Sequence, residues 1–169
     1  MVKKVYLAGP DVFRPDSHVW GKHLQTLCQQ QGLIGLYPLD NEIAPAATPQ
    51  QTASAIAQAN MRMIAQADGV IANLEPFRGA EPDSGTVFEV GVAVALGKPV
   101  WVYFPWAGDL RQQVTHDDQG HCTQGWLVED FSLPRNLMLA CQWQGYSPTV
   151  EAAISAMATH LLGPSDKRN

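Results

Sequence analysis

The alternation of short apolar runs with segments of helical length is the feature that most constrains the fold of this sequence. Most of the apolar runs are bounded by Gly, Pro or a charged residue, as is typical of strands buried in a sheet. Several of the intervening segments begin at a capping residue or end at a glycine, which favours helices. The pattern predicts five strands, at 5–8, 33–37, 69–74, 99–104 and 137–143, and four helices, at 17–31, 48–67, 85–96 and 149–162.

Strands that alternate with helices form parallel sheets covered on both faces. We therefore expect an α/β fold, a single-domain flavodoxin/Rossmann-like three-layer sandwich with a five-stranded parallel sheet. The 169 residues are enough for one domain, predicted over 1–162 and followed by a polar tail at 163–169. Residues 105–134 show no clear period and are predicted to form a long loop with one or two short helices, of the kind that often covers a site. Ligands of such sheets bind beyond the carboxyl ends of the strands.

The composition narrows the classes of function. Hydrophobic residues make up 46% of the chain and charged residues 16%, which excludes a disordered protein. Sixteen Asp and Glu residues against eleven Lys and Arg give a net charge of -5, which argues against a partner made of nucleic acid. The three cysteines are widely spaced and fit a reducing compartment. Because no apolar stretch approaches the roughly 18 residues of a membrane span, we expect a soluble, cytoplasmic protein without a membrane partner.

Common cofactor and metal motifs are missing from the sequence. Neither the glycine-rich dinucleotide pattern GxGxxG nor the phosphate-binding pattern GxxxxGK[ST] occurs, and no GxSxG marks a nucleophilic serine. The five histidines never adopt a zinc-ligand spacing such as HExxH. We therefore predict no metal and no cofactor.

The densest group of candidate residues is the run PFRGAEPDSGTVFEVGVAVAL at 76–96. Asp83 lies in its loop and Glu89 in the first turns of the predicted helix, where the carboxylate can face the strand ends. Gly85 leaves room for a ligand beside the backbone. A purely structural interpretation stays open, because Thr86 and Glu89 match a capping box and Asp83 is a suitable helix N-cap.

The same run, extended to PFRGAEPDSGTVFEVGVAVALGKPV, resembles the signature of the nucleoside 2-deoxyribosyltransferases. Four other segments resemble that family in the same order: VYLAGPDVF, PLDNE, ADGVIANL and LPRNLML. The similarity extends from Val5 to about Leu139. It is greatest to a subgroup with the pattern PFRG-EPD-GT-FEVG, which includes purine-preferring and protozoan-type members.

The resemblance implies an enzyme that exchanges the base of a 2'-deoxynucleoside for another base. Glu89 corresponds to a nucleophile that forms a covalent sugar ester, as in retaining glycosidases. Asp83 corresponds to the acid that faces the base. Tyr6 corresponds to a tyrosine that holds the nucleophile in place, although without the family it is more readily explained as a strand aromatic.

The resemblance also implies substrate contacts and a second subunit. Asn136 corresponds to an asparagine that reaches into the neighbouring subunit and binds the sugar 5'-hydroxyl, so the protein itself is an expected partner. Without the family, an asparagine after Pro-Arg is more readily explained as a turn residue or a helix cap. Asn60 stands where many members have an aspartate that contacts the base, and Glu42 stands where some have glutamine. Their places in the motifs make Gly9, Phe13, Gly85 and Arg78 further expected contacts with the nucleoside or free base. Arg78 is equally explained as a solvated loop cation.

Two other functions are compatible with the same residues. One is an N-glycosidase that hydrolyses a 2'-deoxynucleoside 5'-monophosphate with the same glutamate. The first loop, GPDVFRPD, disfavours it, because two aspartates accompany the single cation of Arg14. The other is a ligand-binding domain without activity. Whether the bases are purines alone or purines and pyrimidines stays open, as does the size of the oligomer.

Overall fold

Five parallel strands form the centre of the molecule. The computed structural model describes residues 2–44 and 47–163; the segment predicted as a polar tail lies outside the described residues from position 164 onward. The strands pair side by side in the order β2-β1-β3-β4-β5, and every pair is parallel. Their bounds are β1 Lys3–Ala8, β2 Leu33–Leu36, β3 Gly69–Asn73, β4 Val100–Tyr103 and β5 Gly145–Ser147.

Six helices accompany the sheet among the described residues: α1 Ser17–Gln30, α2 Pro49–Gln66, α3 Ser84–Ala95, α4 Leu110–Gln113, α5 Leu137–Ala140 and α6 Val150–Leu162. Helices α1 and α6 bury Leu24, Cys28 and Met157 against one face of the sheet. Helices α2 and α3 bury Ile64 and Val90 against the other face. The predicted α/β fold with a five-stranded parallel sheet between two helical layers is therefore confirmed.

Local signals fix where the helices begin. Helix α2 starts as predicted, because the Thr48 side chain accepts a hydrogen bond from the Gln51 amide and the Gln51 side chain accepts one from the Thr48 amide. Helix α1 differs by one position, since Ser17 is its first helical residue and Asp16 occupies the N-cap. The Asp16 carboxylate does not cap the helix; it binds the Arg14 guanidinium at 2.9 Å.

The fifth strand was predicted wrongly. Residues 137–140 of the predicted strand form helix α5, and the strand itself is the later segment β5. Leu, Met and Ala are good helix formers, and a short apolar run does not distinguish a strand from a short helix. Asn136 decides the outcome locally, because its side chain accepts a hydrogen bond from the Met138 amide and so caps the helix.

The long excursion between β4 and α5 contains α4 and two isolated antiparallel bridges. Arg135 holds the C-terminal end of this segment against Leu74, the residue that follows β3. The buried Arg135 guanidinium donates to the Leu74 carbonyl at 3.0 Å and to Gln113 Oε1 at 2.7 Å, and it lies 4.2 Å from the Phe104 ring centroid. Asn136 follows directly and is thereby held near the carboxyl ends of the strands. Within the described ranges, no helix combines the length and apolar character needed to cross a bilayer.

Candidate active site

Glu89 is the one charged side chain of helix α3, and the cap of that helix fixes where it points. Asp83 is the N-cap, and its Oδ2 accepts hydrogen bonds from the Thr86 amide and the Thr86 hydroxyl, both at 2.9 Å. The Thr86–Glu89 capping box that the sequence left open is therefore absent from this described helix. Asp83 caps the helix, and the Glu89 side chain is directed toward the sheet instead of the helix start.

Glu89 meets Tyr6 of strand β1. The Tyr6 hydroxyl donates a hydrogen bond to Glu89 Oε1 at 2.6 Å, and the Tyr6 side chain is completely buried. Glu89 Oε2 forms no protein hydrogen bond among the described residues. The contact joins α3 to the central strand and leaves one carboxylate oxygen available to a ligand.

The surroundings of Glu89 disfavour its ionised form. Burial raises the pKa of Glu89 to about 7, the Tyr6 hydrogen bond opposes this shift, and the charge of Asp83 adds to it. Burial and the Glu89 carboxylate also raise the pKa of Tyr6 well above its ordinary value, so the phenol remains a donor. A carboxylate with little solvation and a pKa near neutrality is well suited to act as a nucleophile.

A cavity of about 370 Å³ opens beside Glu89 between α2 and α3. Among the described residues that line it, Asn60 and Glu89 carry polar side chains, and Gly85 brings α3 backbone close to the space. The apolar walls include Phe88, which is 62% exposed. Such a volume with apolar walls and few polar groups suits a flat heterocycle. The other apolar lining residues are Ala53, Ile56, Ala57, Met61 and Ile64.

Asn60 is held by a neighbour that the sequence analysis did not identify. Asn41 Nδ2 donates to Asn60 Oδ1 at 3.2 Å, and the same nitrogen donates to the Pro38 carbonyl at 3.0 Å and lies 2.9 Å from Met63 Sδ. Asn41 lies within the PLDNE segment at 38–42, so the motif carried the residue without indicating its role.

Gly9, Phe13 and Arg78 do not line the Glu89 cavity; Phe13 lines a separate depression, and Arg78 lies over its ring. The Phe13 ring stacks on Phe77 at 5.4 Å, and the Arg78 guanidinium lies 4.5 Å from the Phe77 ring centroid. Phe13 and Phe77 line a depression of about 200 Å³. A Cβ at Gly9 would lie 2.6 Å from Asp11 Oδ2, so a side chain there would displace that carboxylate.

Asp11 was missed as a candidate residue. It is only 7% exposed, and its Oδ2 accepts hydrogen bonds from Asn73 Nδ2 at 3.2 Å and the Tyr103 hydroxyl at 3.4 Å. These residues follow β1 or end β3 and β4, so they join three strands at the carboxyl edge of the sheet. Burial, followed by the charge of Asp11, raises the pKa of Tyr103 well above its ordinary value. Asp11 lies in the loop after the predicted first strand and within the VYLAGPDVF segment, and neither position indicated its contacts.

Two other expected contacts lie away from the Glu89 cavity within this chain. Glu42 is exposed and does not line the cavity. Asn136 lines a separate apolar groove of about 640 Å³ between α3 and α5, and its Nδ2 donates to Glu129. Among the residues that the structure describes, no three His, Cys, Asp or Glu side chains cluster as metal ligands would.

The fold and this geometry define a class of protein: an α/β protein with a partly buried, tyrosine-bound carboxylate beside a cavity of heterocycle size. The family model described as nucleoside 2-deoxyribosyltransferase matches residues 5–138. The chain belongs to the nucleoside 2-deoxyribosyltransferase family. The resemblance found in the sequence is thus confirmed, as is the prediction of an enzyme at the level of this family.

One solved structure supports this assignment, another shares the fold, and one curated protein is similar in sequence. A 2-desoxiribosyltransferase from Leishmania mexicana is 34% identical with a TM-score of 0.77, and the match covers 94% of this chain and 99% of that one. A 2-deoxyribosyltransferase from Bacillus psychrosaccharolyticus shares the fold, with 18% identity, a TM-score of 0.61 and coverage of 92% and 95%. An uncharacterized protein of Schizosaccharomyces pombe is 38% identical over 102 residues, which are 57% of this chain and 47% of that protein. The match therefore spans about half the length of that curated relative.

Removal of the Tyr6 hydroxyl is expected to move the pH dependence of the reaction. Tyr6→Phe deletes the one hydrogen bond that lowers the pKa of Glu89, so ionisation of Glu89 requires a higher pH. In the wild type, kcat/KM for base exchange should fall as the pH drops below about 7. In Tyr6→Phe this acid limb should lie at higher pH, and kcat/KM at pH 6 should fall by about tenfold, the effect of one pKa unit. Equal acid limbs in the two proteins would contradict a role for Tyr6 in holding the carboxylate.

Proposed function

We propose that this protein transfers 2'-deoxyribose between nucleobases by a retaining, two-step reaction. The observation that carries the proposal is the Glu89 carboxylate, bound at 2.6 Å by the Tyr6 hydroxyl and directed to an apolar cavity. Family membership supports the same chemistry.

In the first step, Glu89 Oε2 attacks C1' of the donor nucleoside. A bond forms between that oxygen and C1', and the N-glycosidic bond breaks through an oxocarbenium-like state. The electron pair of the broken bond goes to the base. Asp83, whose Oδ2 is used by the helix cap, donates a proton to a ring nitrogen and so makes the base a better leaving group.

In the second step, an incoming base attacks C1' from the side that the first base left. The ester bond to Glu89 breaks and its electron pair returns to the carboxylate. The proton of the attacking ring nitrogen returns to Asp83, so no proton is gained or lost over the cycle. Two displacements at one carbon retain the β configuration.

Asn136 is proposed to complete the site of a second copy of the chain. In its own chain Asn136 lines the groove between α3 and α5, outside the Glu89 cavity. That groove is lined by Met138, an apolar side chain that is 68% exposed. A two-fold pair that buried this surface would bring Asn136 of one copy toward the site of the other. We assign it contact with the sugar 5'-hydroxyl there.

Base exchange is tested by incubating the purified protein with 2'-deoxyinosine, with and without free adenine. Chromatography should detect 2'-deoxyadenosine only when adenine is present, together with hypoxanthine released from the donor. Hypoxanthine released at equal rates with and without adenine, and without new nucleoside, would contradict transfer and favour a hydrolase that uses the same glutamate. Repeating the assay with cytosine and thymine then defines the range of acceptor bases.

A further inference from the structure

The Glu89 cavity offers very little polar chemistry for recognising a base. Among the described residues that line it, the polar side chains are those of Glu89 and Asn60. Glu89 is committed to the sugar in the proposed reaction and to Tyr6 in this structure. Asp83, which the proposed reaction assigns to a ring nitrogen, does not line the cavity, so recognition of the exocyclic groups that distinguish one base from another depends mainly on Asn60.

The orientation of the Asn60 amide is fixed by a chain of hydrogen bonds. The Pro38 carbonyl can only accept, so the Asn41 atom that lies 3.0 Å from it must be the nitrogen, Nδ2. That nitrogen can only donate, so the Asn60 atom 3.2 Å from it must be the oxygen, Oδ1. A flipped Asn60 would place two donors against each other. The Asn60 oxygen is therefore turned toward Asn41, which uses one of its two lone pairs.

The remaining polar atom of Asn60 is a pure donor. Its Nδ2 makes no hydrogen bond to another described residue, and the side chain lines the cavity beside Glu89. A base that presents a carbonyl oxygen to this nitrogen gains a hydrogen bond. A base that presents an amino group brings two donors together and leaves both without a partner, which is strongly unfavourable in an apolar cavity.

We infer that Asn60, oriented by Asn41, selects 6-oxopurines such as hypoxanthine and guanine over the 6-aminopurine adenine. This inference rests on the proposed function, because it assumes that the cavity beside Glu89 holds the base. The purine pair is the sharpest comparison, since hypoxanthine and adenine have the same ring shape and differ at the six-position and the adjacent ring nitrogen.

The test is the ratio of kcat/KM for 2'-deoxyinosine to that for 2'-deoxyadenosine, with cytosine as the common acceptor, or guanine if cytosine is not accepted. The two donors differ in the intrinsic ease with which their bases leave, so the informative quantity is the change in this ratio between variants. Measurement at pH 8 keeps Glu89 ionised. Calorimetric binding of free hypoxanthine and free adenine gives a second readout that does not involve bond breaking.

Asn60→Asp should lower this ratio by about 10- to 100-fold, because one carboxylate oxygen retains the Asn41 donor while the other accepts from an amino group. Asn41→Ala should lower it by a smaller factor, since the Asn60 amide is then free to turn its oxygen to the cavity. Gln58→Glu is the matched control, with the same change of charge on the exposed side of α2, and should leave the ratio unchanged.

The outcomes separate this inference from the proposed function. If neither nucleoside donates its sugar to any base, the proposed function fails. If transfer occurs but the ratio is the same in the wild type and Asn60→Asp, the function stands and the inference is wrong. An equal fall in the ratio in Gln58→Glu would also contradict it, because the effect would then come from charge and not from the oriented amide.

Discussion

Replacement of Glu89 by glutamine is expected to abolish base exchange, with a loss of at least about 10³-fold in kcat. The neutral amide has nearly the shape of the carboxylate and can still accept the Tyr6 hydrogen bond, but it cannot form the sugar ester. The side chain lies at the end of this contact and not in the core, so the fold should be retained. Kinetics on the purified variant, with circular dichroism to verify folding, provides the measurement.

The same variant is expected to be more stable than the wild type at pH 8. The pKa of Glu89 is about 7 in the folded protein and near 4.5 in the unfolded chain, so folding disfavours its charge. This cost is absent below about pH 4.5, grows as the pH rises, and is complete above about pH 7. Removing the charge should raise the free energy of unfolding by about 1–3 kcal/mol at pH 8 and leave it nearly unchanged at pH 4.

Glu151→Gln is a suitable control for both effects, because Glu151 is exposed in the first turn of α6. It should retain full activity and show no such pH-dependent gain in stability. A Glu89→Gln protein that exchanges bases at the wild-type rate would show that another group is the nucleophile. A loss of activity together with lower stability at pH 8 would instead indicate that Glu89 mainly supports the fold.

Mixing two inactive variants is expected to restore activity if the site is shared between subunits. One variant is Glu89→Ala, and the other is Asn136→Ser, in which serine can still cap α5. A hybrid dimer has one site that combines the intact Glu89 of one chain with the intact Asn136 of the other. With random exchange about half of the dimers are hybrids, and each has one working site of two, so about a quarter of wild-type activity should return.

The experiment requires proof that subunits exchange. Recovery of an untagged chain together with a tagged chain on an affinity column would provide it. Mixing two separately prepared batches of Glu89→Ala is the control and should remain inactive. Hybrids that are demonstrably present but inactive would contradict the shared site, and they would place the sugar contact of Asn136 in doubt without affecting the role of Glu89.

Much of the scaffold could be predicted because its signals are local. Thr48 and Pro49 mark the start of α2 through capping and a fixed backbone angle, and the apolar residues 69–72 of β3 indicate a strand buried on both faces. The fifth strand could not be located, since residues 137–140 satisfy the apolar pattern of a strand and of a helix equally. The helix forms because the Asn136 side chain accepts a hydrogen bond from the Met138 amide, and this contact is seen only in the folded structure.

The candidate site was predictable only in part, because local patterns do not show which distant segments come together. Spacing placed Asp83 and Glu89 at the start of one helix but left open whether these carboxylates cap the helix or act in catalysis. Only the fold shows that the Glu89 carboxylate reaches Tyr6, more than eighty positions away in the sequence. The orienting role of Asn41 and the burial of Asp11 likewise depend on contacts between distant segments, which no local pattern encodes.

Trapping of the sugar on Glu89 tests the central claim most directly. The wild-type protein is incubated with 2'-deoxyinosine while released hypoxanthine is removed by a coupled oxidation, and its intact mass and proteolytic peptides are then measured. We predict the added mass of one 2'-deoxyribosyl group on the peptide that contains Glu89, its absence in Glu89→Gln, and its conversion to 2'-deoxyadenosine when adenine is added. The account would be contradicted if at least one hypoxanthine were released per enzyme molecule while the Glu89 peptide stayed unmodified and added adenine gave no 2'-deoxyadenosine.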